Sequence, residues 1–261
     1  MEKTLRIAAS GMAAQKMYID VIANNLANVN TTAFKKSKIE FQDLLYEKVS
    51  VGNVNEDGQS KPATLEIGNG TKPVATFRNF SQGEIVSTGN ALDIAIAGDG
   101  FFQVRMPDGS FAYTRDGAFK ISADGQIVTT DGYVLEPELI IPEDAEQIFI
   151  SQDGRVDVKL VNDVEPLTLG QIELVKFLNP AGLEAMGQNL YRETSASGNP
   201  FVAQPGYEGM GILQQGYLEN SNVDVVKEMV DMISAQRAYE LNSKSIKTAD
   251  DMYQVVNQLK R

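Results

Sequence analysis

The chain has 261 residues, 43% of them hydrophobic, and contains no Cys, no His and no Trp. Those absences exclude disulfides, thiolate metal sites and cysteine nucleophiles, and they remove Ser-His-Asp triads, His-ligated zinc and the imidazole base of most neutral-pH enzymes. The formal charge of −12 is carried by the middle of the chain: residues 49–218 hold −13, residues 1–48 hold +2 and residues 219–261 hold −1. An acidic middle argues against nucleic acid, whose phosphates it repels.

The first element reads as a helix. Leu5, Ala8, Met12, Gln15, Ile19, Ile22, Leu26 and Val29 recur in alternating steps of three and four, an a/d heptad with one polar member. Ile7, Ala9, Ala13, Ala14, Met17, Tyr18 and Val21 make the other faces apolar too, so the helix wants more than one neighbour. Interruptions at Arg6, Ser10, Gly11 and Gln15 leave no continuous apolar core of the kind a secretory signal has. No run approaches the roughly 18 apolar residues of a membrane span, so no direct membrane insertion is expected.

Next comes a polar, turn-rich connector over 33–73, in which Pro62 and Pro73 limit backbone freedom. Asp-Gly then recurs at 108–109, 116–117, 124–125 and 131–132, with further copies at 57–58, 99–100 and 153–154. Asp-Gly between short apolar runs is a hairpin signal. "LDIAI", "FFQVRM", "SFAYTR", "AFKIS", "QIVTT" and "YVLEP" read as successive strands of a meander, continued by "RVDVKLV" and "QIELVKF", with "ETSASGNPFVAQPGYEG" as a loop. The last segment is helical again, with Ser221 or Asn222 as its N-cap. Its apolar stripe starts with Val223, Val226, Val230 and Ile233 and resumes, with shifted phase, at Leu241, Met252, Val255 and Leu259.

The expected fold class is therefore α+β: long N- and C-terminal helices pairing as a coiled-coil stalk, with a central β-rich meander domain. The boundaries are 1–32 for the first helix, 33–73 for the connector, 74–215 for the β-rich domain and 216–261 for the last helix. Chemistry is not expected. "GDGFF" and "GYEGMG" lack the strand–turn–helix setting and Lys-Ser/Thr of a phosphate loop, and the Asp-Gly turns do not meet the calcium-loop pattern. No catalytic, cofactor-binding or metal-ligating residue stands out.

The ends carry a resemblance. "ANNLANVNTTAFKKSKIEFQDLLYE" (23–47) and "QGYLENSNVDVVKEMVDMISAQRAYELNSKSIKTADDM" (215–252) resemble the terminal signatures of the bacterial flagellar axial proteins, the rod, hook and hook-junction subunits. "FQDLLY", "GDGFFQV", "PDGSFAYTRDGAF" and "GLEAMGQNLY" resemble the rod branch most, with a paralogous proximal rod or hook subunit as the alternative. The resemblance implies a structural subunit of the basal body that is exported by the flagellar type III apparatus without a cleavable signal. Such a subunit polymerises with itself into a tube that transmits torque and encloses a channel. It meets proximal rod proteins, the hook protein and, where an outer membrane exists, ring bushings. It also implies that the terminal helices form the inner tube, that residues 50–73 wedge between subunits to keep the rod straight, and that Arg237, Tyr239 and Glu240 lie at interfaces. Where many relatives have Gly, this chain has Ala33, beside an expected left-handed turn. Asn24, Asn25 and Asn28, crowded near the end of the first helix, are expected to set subunit register, because a buried amide pairs in one register and not in others. Asn30 is expected to cap and end the helix.

Overall fold

The computed structural model describes residues 2–50, 64–161 and 165–259. The chain divides into two compact units, one made of 1–26, 37–77 and 225–261 and the other of 27–36 and 78–224. Among the described residues there are two long helices and twenty strands, so the α+β class holds.

The first unit contains helix α1 (Glu2–Ala27), strands β1 (Ser37–Asp43), β2 (Glu47–Ser50), β3 (Thr64–Ile67) and β4 (Thr71–Arg78), and helix α2 (Val225–Leu259). α1 has no Pro and α2 neither Pro nor Gly, the residues most costly inside a helix. β1 pairs with β4 and β2 with β3, two separate two-stranded ribbons. The connector expected over 33–73 is thus partly strand, with Pro73 in β4; Pro62 lies outside the described residues.

Within this unit α1 and α2 run antiparallel. Asn25 reaches Glu228, Tyr18 feels Asp231, and a Cβ on Gly11 would stand 2.9 Å from the Asn242 amide. Buried positions on α2 recur every seven residues, at Glu228, Ala235 and Ala249, with half-buried Asn242 completing the row. α1 offers Ala8, Ile22 and Asn25 to its neighbours. Small side chains let the helix axes approach closely, so a methyl group at Gly11 would make the Asn242 side chain shift. Another side of α1 meets the β1–β4 ribbon, where Tyr18 and Phe41 stack edge to face at 6.3 Å.

The second unit holds the remaining strands. They are β5 (Ile85–Ser87), β6 (Ile94–Ala97), β7 (Phe102–Arg105), β8 (Phe111–Thr114), β9 (Lys120–Ile121), β10 (Ile127–Val128), β11 (Val134–Glu136), β12 (Ala145–Ile150), β13 (Arg155–Leu160) and β14 (Leu167–Gln171). β15 (Leu174–Lys176), β16 (Glu184–Gly187), β17 (Leu190–Arg192), β18 (Phe201–Ala203), β19 (Ile212–Gln215) and β20 (Tyr217–Glu219) follow. Seven form one antiparallel sheet in the order β16-β17-β8-β7-β11-β10-β9. The meander expected from the sequence is only local, because β6 leaves it to pair with β19, and β7 lies between β8 and β11. β5 pairs with β20 in the same way.

Four Asp-Gly pairs do turn the chain between neighbouring strands: Gly109, Gly125, Gly132 and Gly154 all have positive φ. Gly117 does not turn a hairpin. Its carbonyl accepts from the Ile94 amide at 3.0 Å, and the two backbones pass in contact. The main core gathers Ile94, Ile96, Phe102, Val104, Phe119, Leu135, Val156, Ile172 and Leu174, all nearly inaccessible. A second, aromatic cluster joins Phe101, Tyr113, Phe177 and Tyr191 under Phe80, with ring centroids 4.8–6.1 Å apart and tilted edge to face.

Candidate assembly site

α2 buries its small and polar positions and presents its large ones. Val226 is 73% exposed and Leu241 66%, and Val230, Ile233, Met252 and Val255 are each more than half exposed; Tyr239 is exposed as well. Val223 is half-buried ahead of the helix, and the side chain of Leu259 lies outside the described set. The stripe read from the sequence is therefore one face of α2, but it is not the face that packs on α1. Apolar periodicity missed the packing seam because Glu228, Ala235, Asn242 and Ala249 supply it with little hydrophobic signal.

On α1 the expected residues divide. Ile22 is buried, Leu5, Met12, Ile19 and Leu26 are half-buried, and Asn24 lies on the exposed face. Asn25 is occupied within the chain: its Oδ1 accepts from the Ser37 amide at 2.9 Å, and its Nδ2 donates to the Ser37 carbonyl at 2.9 Å and to Glu228 Oε2 at 3.2 Å. This amide fixes the register of α1 against β1 and α2 within the chain. Asn28 accepts from the Thr31 hydroxyl at 3.2 Å, and α1 has already ended at Ala27, ahead of the expected limit at 32.

The second unit contains a polar clasp that the sequence did not announce. Lys35 is 0% exposed, and its Nζ donates to Glu219 Oε1 at 2.6 Å and to the Ser81 carbonyl at 2.8 Å. Glu219 Oε1 also accepts from the Gly83 amide at 2.8 Å, while Oε2 accepts from Arg115 Nε at 3.0 Å. Arg115 Nη2 reaches the Gly98 carbonyl at 2.6 Å. Beside it Asn222 accepts from the Lys36 amide at 2.8 Å and donates to the Asn79 and Ser81 carbonyls at 2.8 and 3.0 Å. Asn222 thus joins segments instead of capping α2, which starts at Val225; the last helix begins later than 216 because 217–219 are strand. Ala33 takes up the left-handed conformation that is less comfortable for Ala than for Gly, φ 56°, with its amide on the Glu219 carbonyl at 2.7 Å. "FKKSK" reads as a solvated basic run, and no local pattern marks its first Lys as buried.

Burial drives the Lys35 ammonium down to about 8 from 10.5, helped by the Arg115 guanidinium and opposed by Glu219. Across that interval the unfolded chain holds a proton that the folded chain has released, so stability rises as pH climbs through it. Urea unfolding of the full chain should show that rise between pH 8 and 10.5, and Lys35→Met should flatten it; an equal rise in the variant would assign it to other groups.

Among the described residues no helix is long and apolar enough to cross a membrane, and no acidic cluster is arranged to hold a metal ion.

Comparison with known proteins places these elements in a family. Residues 5–35 match the family model described as flagella basal body rod protein, and residues 95–158 match the flagellar hook protein FlgE/F/G D1 domain. Residues 214–259 match the flagellar basal body rod FlgEFG protein C-terminal family. Over 264 residues, and the whole of both chains, the sequence is 50% identical to the flagellar basal-body rod protein FlgG of Borreliella burgdorferi. It is 48% identical to the FlgG of Caulobacter vibrioides over 99% of each chain, and 41% identical to that of Bacillus subtilis over the whole of each.

Proposed function

Because this chain belongs to the flagellar FlgE/F/G family, as a basal-body rod protein of the FlgG type, we propose that it polymerises head to tail into the tube of the distal rod. The observation that carries this reading is the large apolar face of α2, which a lone subunit leaves in water. Fully burying an exposed side chain of this size contributes roughly 1.5–3 kcal/mol, and these six have half to three-quarters of their surface left to bury, which favours association against the cost of ordering two subunits. A surface repeated on every copy that docks on a different surface of the next gives an open helical array.

In that array the terminal helices make the inner wall around an export channel. The β-rich units lie outside and the whole acts as a drive shaft, with no enzymatic step and no cofactor. Its neighbours are further copies of itself, with proximal rod subunits at one end, the hook protein at the other and ring bushings around it. Residues 50–73, of which 51–63 lie outside the described residues, are assigned the part of keeping the array straight.

The test is Val230→Asp combined with Ile233→Asp in the full chain. Both side chains point away from the α1–α2 seam, so helix content and the urea midpoint should stay near those of the parent. Sedimentation should nevertheless find monomer, and cells carrying the variant should lack distal rods. Rods of normal number and length would overturn the proposal.

A further inference from the structure

We propose that the outward face of α1 in one copy packs on the outward face of α2 in the next, in a single antiparallel register fixed by an Asp20–Arg237 ion pair with Lys16 beside Glu240. The proposal rests on the head-to-tail polymer above and names the surface that covers the α2 stripe.

The outward face of α1 is narrow and small. Ala9, Ala13, Ala23 and Ala27 are exposed along one line, with Lys16 and Asp20 between the two pairs. The outward face of α2 is large, with Val230 before the charged residues Arg237 and Glu240, and Leu241 beside them. Large side chains over alanines allow close packing of two helices, and a charged girdle in the middle of each face limits how they align.

The direction follows from the chain itself. α1 and α2 are antiparallel within one subunit, as the Asn25–Glu228 and Gly11–Asn242 contacts show. Head-to-tail repetition keeps every copy in the same sense, so α1 of one copy meets α2 of the next antiparallel too. Read in opposite directions, the two faces advance together in steps of four and three. Ala27 falls opposite Val230, Ala23 opposite Ser234, Asp20 opposite Arg237, Lys16 opposite Leu241 with Glu240 adjacent, and Ala13 opposite Lys244.

Neighbouring registers are worse. Sliding by one turn in one direction sets Lys16 against Arg237, and in the other it brings Lys16 next to Lys244, like against like. Only the stated register forms both ion pairs while laying Ala27 on Val230. Among the described residues, Lys16, Asp20, Arg237 and Glu240 make no ion pair or hydrogen bond within the subunit, although Lys16 and Asp20 stand one helical turn apart.

The experiment compares the full chain with Asp20→Arg, Arg237→Asp and the double variant, read by sedimentation under polymerising conditions. Like charges facing across an interface cost several kcal/mol, so each single reversal should raise the protein concentration needed for polymer by about tenfold or more. The double reversal should restore it. Because the native chain contains no Cys, Ala23→Cys with Ser234→Cys adds one defined pair that should give a ladder of cross-linked multimers on mild oxidation. Polymer from the unaltered chain, with no recovery in the double variant and no ladder, overturns this register while leaving self-assembly intact. A cross-link confined to the monomer overturns it as well. An unaltered chain that never polymerises, in solution or in cells, defeats the assembly reading beneath it. Circular dichroism of each variant separates lost contact from lost fold, and the cysteine pair, which replaces only small exposed residues, tests the register independently of charge.

Discussion

Glu219→Gln is expected to destabilise the β-rich unit by about 3–5 kcal/mol, the cost of leaving buried charges without their counter-ion. The carboxylate at 219 answers two cations at once, Lys35 at 2.6 Å and Arg115 at 3.0 Å, and all three side chains are almost fully buried. The amide of Gln can still accept one hydrogen bond, but neither it nor the backbone carbonyls nearby neutralise two positive groups in a medium of low dielectric constant. A matched control separates charge from shape. Replacing all three partners with apolar residues of similar volume removes the desolvation penalty together with the attraction, and such swaps are commonly neutral or stabilising. Urea denaturation of the parent, the single variant and the triple variant decides the matter. A loss under about 1 kcal/mol for Glu219→Gln would mean that water reaches the clasp and screens it.

Gly117→Ala should be nearly as damaging, and for a steric reason. A Cβ at 117 would stand 1.7 Å from the Ile94 carbonyl oxygen, which is backbone and not a flexible side-chain end. Ile94 is itself 0% exposed in the main core and begins β6, and its amide already bonds to the Gly117 carbonyl. Relief requires the segment after β8 to move off β6, breaking that bond and loosening the core beneath it. A loss above about 3 kcal/mol is expected, at the diagnostic end of single-substitution effects. Gly132→Ala is the comparison, because nothing lies within 4 Å of a Cβ there and only the positive φ of 90° is at stake. Equal losses in the two variants would mean that backbone conformation, not contact, sets the requirement at 117.

Eight of the twenty described strands, β6–β11, β13 and β15, were legible in the sequence because each had a local signature: Phe102–Arg105 and Phe111–Thr114 flank Asp108-Gly109, and alternation marks Arg155–Leu160, whereas β1–β4 begin in the stretch read as a connector and β18 lies in the one read as a loop. The partners of β5 and β6 were not, since β20 and β19 come from the far end of the chain and pairing over that distance leaves no local trace. Gly117 shares its Asp-Gly dipeptide with true turns, so only the neighbouring backbone distinguishes it. At the candidate site, the α2 stripe was legible as a set of residues but not as a direction. Val226, Val230 and Ile233 have the period of a buried seam, while Ala235 and Ala249, which are buried, carry no more signal than any alanine. The Asn25 amide is buried and paired, but no local pattern in the sequence marks Ser37 as its partner.

The pairing of β5 with β20 and of β6 with β19 also has a kinetic meaning. Strands near the start of the β-rich unit have no sheet partner until residues near 212–219 exist, and Lys35 has no counter-ion until Glu219 does. Contacts this distant in sequence must be reached by closing a long loop before they return any stabilisation, which slows folding. A chain delivered from its N-terminus therefore holds this unit open through most of its own length, and closes it only as the last helix begins to arrive.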